Sequence, residues 1–123
     1  MIATLKRRSE FLRVRGGNRW ATAGFVLEAR PRTDQLAGNE ARFGFTVTKK
    51  LGKAVTRNRI RRRLREAVRL LAPVSTRADH DYVLIARAPA LDRAFIELTR
   101  DLEIAFSRVH RPARVNSRDI APR

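Results

Sequence analysis

"TRNRIRRRLREAVRL", residues Thr56–Leu70, holds seven arginines and one acid in fifteen positions. Charge this dense is common in disordered tails, yet Ile60, Leu64, Ala67, Val68 and Leu70 are threaded through it. Three objects fit that composition: a solvated tail, a helix that happens to be charged, and a helix built to hold phosphate. Periodicity narrows the choice. At about 100° per residue, Ile60, Leu64, Ala67, Val68 and Leu71 fall within one stripe roughly 100° wide. Asn58, Arg61, Arg62, Arg65 and Arg69 fall on the opposite side. Two separate stripes predict a helix with one face in a core and one face of arginine.

That polar face differs from an ordinary solvated one. Exposed helix faces commonly mix signs and gain from i,i+4 ion pairs. Here Arg61, Arg65 and Arg69 repeat one sign at that spacing. Thr56 is the expected N-cap, which crowds Arg57, Arg59, Arg61 and Arg62 into the first turns. Cations at a helix amino terminus cost roughly 0.3–1 kcal/mol each, and a bound anion reverses the sign of that cost. Lys49, Lys50 and Lys53 extend the patch. Ten charges far exceed what one small phosphate needs, so a polynucleotide is the better partner.

The totals agree. The chain has 123 residues and a net charge of +16, from 28 basic and 12 acidic residues. Residues 49–69 alone carry +9. Such an excess favours polyanions without dictating a fold, and its concentration in one-sixth of the chain points to a site. Twenty-four of the basic residues are arginine, whose planar fork suits phosphate and stacks on bases. There is no cysteine, which removes disulfides and thiolate chemistry. No apolar run approaches the ~18 residues of a membrane span, and a cytoplasmic location is expected. The Arg-rich start loosely mimics a transit peptide. Phe11, Leu12 and Val14 read as packing residues and place it in the domain. One domain is expected over 1–110, with a mobile basic tail over 111–123.

The other elements follow from periodicity. Ser9 is a candidate cap for a short helix over 10–15, stopped at Gly16. Residues 20–29 alternate as one strand, and 42–48 as a second with Phe43, Phe45 and Val47 inward. Their patterns suggest an antiparallel sheet with one packed and one polar face. Residues 31–41 and 49–55 read as loops, and Pro73 as the stop of the arginine helix. Residues 81–87 are apolar on both faces, as in a central strand. Residues 91–109 form an amphipathic helix through Leu91, Phe95, Leu98, Leu102, Phe106 and Val109. Helices laid on one small sheet make an α+β domain.

Nothing resembles catalytic machinery. His80 and His110 read as isolated surface histidines, and Asp79 and Asp81 as residues of a turn. Asp101 and Glu103 are two apart on a helix and so face different ways. No serine sits in a nucleophile elbow, and no spacing suggests metal ligands. The residues describe a binder.

"KLGKAVTRNRIRRRLREAVR" resembles the Arg-Asn-Arg signature of the bacterial ribonuclease P protein subunit. The matching positions are Lys53, Ala54, Arg57, Asn58, Arg59, Arg62 or Arg63, and Arg65. "SEFLRV", "GFVLEA", "RFGFTVTKKLGKAV" and "DYVLIARAPA" are similar to the family's first helix and its strands. The resemblance spans roughly residues 5–109. It implies an αβββαβα sandwich, helices on a four-stranded sheet, and a left-handed βαβ crossover. It also implies work in an endoribonuclease that removes the 5′ leader of precursor tRNA. The chemistry would belong to a partner catalytic RNA using Mg2+, with one protein per RNA.

Under that resemblance the catalytic RNA is met by Lys49, Lys50, Lys53, Arg57, Asn58 and Arg59, and by Arg61, Arg62, Arg65 and Arg69. A cleft for the leader would be lined by Phe11, Arg15, Trp20 and Phe25, since aromatic stacking suits a single strand of any sequence. The chain departs from the family where Arg15 and Glu28 stand at positions that are often aromatic, and Trp20 is the candidate to compensate. Three rivals remain. They are a structural, ribosomal-type RNA-binding protein, a DNA-binding module reading with the arginine helix, and a protein-only nuclease. The second has few base-reading side chains besides Asn58, and the third lacks a carboxylate cluster.

Overall fold

The structure is a computed structural model that describes residues 2–32 and 40–110. The tail over 111–123 and most of the expected 31–41 loop lie outside the described residues. The elements in chain order are β1 (Ala3–Thr4), α1 (Arg8–Val14), β2 (Asn18–Ala21), β3 (Phe25–Pro31) and β4 (Arg42–Thr46). There follow a 3-10 turn (Lys49–Leu51), α2 (Ala54–Ser75), β5 (His80–Ala86), a second 3-10 turn (Ala88–Leu91) and α3 (Phe95–Val109). The strands form one sheet in the order β1-β4-β5-β3-β2.

This is the expected α+β architecture with three corrections to the sheet. It has five strands, because Ala3 and Thr4 pair in parallel with Arg42 and Phe43 at the β4 edge. The expected 20–29 strand is a hairpin. It breaks after Ala21, where Thr22 N–H donates to the Phe25 carbonyl at 2.8 Å and Thr22 Oγ1 accepts from Phe25 N–H at 3.2 Å. Finally, β3 and β4 are not partners. β5 lies between them, antiparallel to β3 and parallel to β4. A strand apolar on both faces is stable only with both faces covered, and that places β5 at the centre. The parallel neighbours β4 and β5 are joined by α2.

Two unequal layers cover the sheet. α2 and α3 lie on the face of Phe25, Leu27, Phe43, Tyr82 and Leu84, and Ile60, Leu64, Leu98, Leu102 and Phe106 complete this main core. α1 lies on the other face, where Val14 and Leu5 meet Val83, with Phe11 and Ile85 half-buried beside them. Leu12 is exposed, so it does not pack as expected. Ser9 is not the cap of α1. Glu10 accepts the N–H groups of Lys6 and Arg7 at 2.8 and 2.9 Å, a role that lowers its pKa. Nor does Pro73 stop α2. It sits in the last turn, where a proline forfeits only one backbone bond, and Thr76 closes the helix with N–H and Oγ1 on the Ala72 carbonyl.

Asp81, read from sequence as part of a turn, is wholly buried on β5. Three arginines from three elements clasp it: Arg32 at 2.6 Å, Arg42 at 2.8 Å and Arg13 of α1 at 3.0 Å. Burial pushes its pKa up, but the hydrogen bonds from Arg42, Arg32 and Arg13 outweigh that and hold it below the ordinary range. Asp81→Asn is expected to destabilise the fold by about 3–5 kcal/mol, because it strands a buried guanidinium without its counter-charge. Urea denaturation measures this, and a loss under about 1 kcal/mol would mean that the clasp behaves like a surface ion pair.

The histidines are a further correction. His80 is buried, stacked 5.8 Å from Tyr82, with its Nδ1 2.7 Å from Asp79. His110 Nε2 lies 2.6 Å from the Tyr82 hydroxyl. That hydroxyl already accepts the Arg77 N–H at 2.9 Å, so its proton is directed to His110. Burial first, then Arg77 and His80, lower the His110 pKa from 6.5 to about 4. Burial raises that of Tyr82 to about 12. Between about 6.5 and about 4 the unfolded chain therefore takes up a proton that the folded chain refuses. This contribution to stability is complete above 6.5 and drains away as the pH falls toward 4. Melting temperatures across that window should fall more steeply for the native chain than for His110→Gln, and parallel curves would discount the residue.

Candidate nucleic-acid interface

α2 folds with the two faces its sequence predicts. Ile60, Leu64, Ala67 and Val68 are buried and Leu71 is half-buried. Asn58, Arg59, Arg62, Arg65 and Arg69 are exposed, and Arg61 is half-exposed. The start of the helix differs from expectation. The N-cap is Lys53, and Thr56 lies one turn inside. Arg57, Arg59, Arg61 and Arg62 thus stand in the second and third turns. The dipole penalty fades within the first turn, so it bears chiefly on Lys53 and on Lys49 and Lys50 in the 3-10 turn before it. Gly52 makes that entry possible with φ +133, a backbone state open to glycine.

The arginines of α2 do not share one role. Arg57 Nε donates to the Gly52 carbonyl at 3.1 Å, pinning the lysine-bearing turn to the helix. Arg61 Nη1 donates to Asn58 Oδ1 at 2.9 Å. Arg63 turns inward, donating to the Ala90 and Arg93 carbonyls and packing 5.9 Å from the Phe95 ring. Of the two candidates for the motif position, Arg62 is therefore the one that faces out. Arg69 pairs with Glu66 rather than standing as a third like charge. Arg65 lies 5.7 Å over Phe45. No side-chain hydrogen bond joins Arg59 or Arg62 to another described residue.

Arg61 and Arg65 also reach around the β1–β4 edge. With Thr4, Leu5, Phe11, Gly44 and Phe45 they line one groove. Phe11 lies so close over Gly44 that a Cβ there would sit 2.3 Å from its ring. Beside it the register aligns Thr46, Ile85, Val26 and Ala21 across the sheet face that carries α1. Arg15 is exposed at the end of α1. The arginine face of α2 and the α1 side of the sheet thus meet at this edge.

Two of the four expected cleft residues do not belong there. Phe25 has no exposure and sits in the main core, on the opposite face from α1. Trp20 pairs with Leu27, so it shares that opposite face, where Arg108 of α3 lies 4.9 Å over its ring. The reason is the hairpin, whose turn resets the alternation of residues 20–29. Glu28 does face the α1 side. It is 3% exposed, with Arg19 at 4.0 Å. Among the described residues no group of three or more histidines and acids lies close enough to hold a metal ion, and no helix is long and apolar enough to cross a membrane.

Residues 2–110 match the sequence model of the ribonuclease P family. The chain belongs to the bacterial ribonuclease P protein family. It is 46% identical over 106 residues to the ribonuclease P protein component of Brucella suis, covering 82% of this chain and 75% of that one. With the component from Paramagnetospirillum magneticum it shares 47% over 107 residues, covering 85% and 80%. Among solved structures, the Staphylococcus aureus ribonuclease P protein superposes with a TM-score of 0.73 at 29% identity, covering 89% of this chain and 97% of that one. The Thermotoga maritima protein gives 0.72 at 26%, covering 88% and 98%.

Arg62→Ala or Arg65→Ala should flatten the log–log salt dependence of RNA affinity by about 0.7–0.9 for each lost phosphate contact. Filter-binding titrations over a salt series measure it. Unchanged slopes for both variants would leave these side chains in solvent.

Proposed function

We propose that this chain is the protein subunit of ribonuclease P, acting in tRNA processing in the cytoplasm with one copy per catalytic RNA. α2 and the preceding lysine turn bind the catalytic RNA. The groove beside Phe11 receives the 5′ leader of precursor tRNA. The observation that carries this reading is the groove shared by Arg61, Arg65 and Phe11. One polyanion on α2 and a second strand beside α1 would meet at a common basic seam.

The physical task is electrostatic. A catalytic RNA and a precursor leader are both anionic and repel, and a wall of guanidinium charge between them offsets that repulsion. The gain is largest where counter-ions are scarce. An aromatic ring on one wall adds affinity indifferent to base identity, about 1–3 kcal/mol per stacked base. With Trp20 and Phe25 on the far face, Phe11 is the one expected cleft aromatic that lines the groove; Phe45 beside it lies under Arg65, Phe43 is buried, and Arg15 adds charge where another ring could have stood. Leader binding here should therefore lean more on charge than on stacking.

The resemblance implies Mg2+, and two carboxylates on the α1 side of the sheet are already engaged. Asp81 is saturated by three arginines, and Glu10 is engaged by Arg42 and two backbone N–H groups. The ion is assigned to the RNA, and cleavage with it.

Cleavage of precursor tRNA by the cognate RNA at low magnesium, with and without the protein, tests the proposal. Stimulation that grows as magnesium falls, and that needs a leader of several nucleotides, is expected. Equal affinity for precursor and mature tRNA in the assembled complex would instead indicate a structural RNA-binding protein.

A further inference from the structure

Trp20 stands apart from the groove beside Phe11 and has no part in the function proposed above. It is the chain's single tryptophan and lies on β2, the edge strand farthest from β1. The ring is 37% exposed, the one aromatic among the large exposed hydrophobic side chains of the described residues. Arg108 of α3 lies 4.9 Å over it. Asn18 fixes the two elements together, since its Nδ2 donates to the Val109 carbonyl at 2.8 Å.

Positive charge flanks the ring. Arg19 precedes it on β2 with its side chain 62% exposed and Glu28 4.0 Å away. Arg87 donates at 2.9 Å to the carbonyl of Thr22, two residues beyond the ring. Neither Arg87 nor Arg108 pairs with an acid among the described residues.

A clamp between β2 and α3 would account for the stack, and a cation in the last turn of α3 suits the helix dipole. A clamp gains most when its ring is dry, because cation–π attraction is weak at exposed sites. Here more than a third of the residue stays in water, beside guanidinium groups that no acid neutralises. Open aromatic surface next to uncompensated positive charge suits an unpaired nucleotide. Its base stacks on the ring and its phosphates meet the guanidinium groups. A duplex cannot use the ring, because its bases are already stacked on one another.

We propose that Trp20 and Arg108 form a stacking platform for one unpaired RNA base, with Arg19 and Arg87 meeting its flanking phosphates. The platform is four strand spacings, roughly 19 Å, across the sheet from β1. The protein thereby holds RNA at both edges of its sheet, at α2 and the β1–β4 seam on one side and at β2 on the other.

The single tryptophan makes the site its own reporter. Its emission is titrated with a single-stranded oligoadenylate and with a blunt RNA duplex of equal length. A dye-labelled copy of each RNA reports total binding by anisotropy. The proteins are the full native chain, Arg62→Ala/Arg65→Ala, Arg108→Ala and Arg19→Ala/Arg87→Ala. The single strand should quench Trp20 saturably in the native chain, and with an affinity within about twofold of that in Arg62→Ala/Arg65→Ala, because the two sites are distant. The duplex should bind by anisotropy and leave the emission unchanged. Arg108→Ala should weaken the quenching about 2–5-fold. Arg19→Ala/Arg87→Ala should weaken it too, and flatten its log–log salt dependence by about 0.7 for each lost phosphate contact.

Binding of the single strand without quenching would overturn the platform and leave the α2 reading standing. Quenching that disappears in Arg62→Ala/Arg65→Ala, or that the duplex produces equally, would overturn it as well. A lower melting temperature for Arg108→Ala with unchanged quenching would reduce the pair to a clamp between β2 and α3. No anisotropy change with either RNA would sink the RNA-binding reading itself.

Discussion

Asp81 has no solvent exposure, and guanidinium groups from α1, from β4 and from the segment after β3 converge on its two oxygens. The placement of α1 depends on this. α1 is seven residues long and contributes to a minor core of Leu5, Val14 and Val83. A helix so short has little stability of its own, and three small contacts are a thin anchor. Arg13 gives it a directional tether, and Arg42 ties the same carboxylate to Glu10 at the other end of the helix. Phe11 is thereby held over Gly44, and the wall of the groove takes its position. In a chain with a net charge of +16, one buried negative charge orders three basic elements that would otherwise repel.

The two layers divide the labour accordingly. The large core beneath α2 and α3 makes α2 rigid, so its outer face can hold a fixed array of charge with one neighbouring acid, Glu66, paired to Arg69. The small core beneath α1 leaves room on the sheet beside it. Function is assigned to the seam where β1 pairs with β4, because there side chains from both layers share a groove. The two-residue strand β1 is modest as structure, yet it forms the rim over which Arg61 and Arg65 reach.

Legibility in the sequence followed the range of the interaction. The stripes of α2 and α3 repeat over several turns, and the structure carries them except at Leu91, which falls in the 3-10 turn before α3 rather than in the helix expected over 91–109. β5 was readable for the same reason, since its apolar character is local. The hairpin was not. Residues 20–29 alternate well enough to pass for one strand, and the break at Thr22 depends on a single side chain rather than on a Gly-Asn or Pro-Gly pair. Read as one strand, Trp20 and Phe25 lie on opposite faces. Folded as a hairpin they share a face, the one turned away from α1. The role of Asp81 was also hidden, because its partners are 39, 49 and 68 residues distant in the chain. A carboxylate in a strand apolar on both faces was the available signal, since an acid buried there must be paired. The burial of the two histidines is hidden in the same way, as nothing local announces the ring cluster around Tyr82.

Arginine content also overstates the site when read from composition alone. Many of the chain's arginines serve the fold. Arg13, Arg32 and Arg42 neutralise Asp81, Arg63 closes two carbonyls at the turn before α3, Arg93 pairs with Asp101, and Arg57 fastens the entry to α2. A flat fork of five donors can satisfy carbonyls and carboxylates at several places at once, a task lysine performs poorly. The arginines left to meet a ligand, Arg59, Arg62 and Arg65 above all, are those whose side chains the fold does not consume. Charge density points to α2. Which charges are available to RNA is decided by the hydrogen bonds that the others have already made.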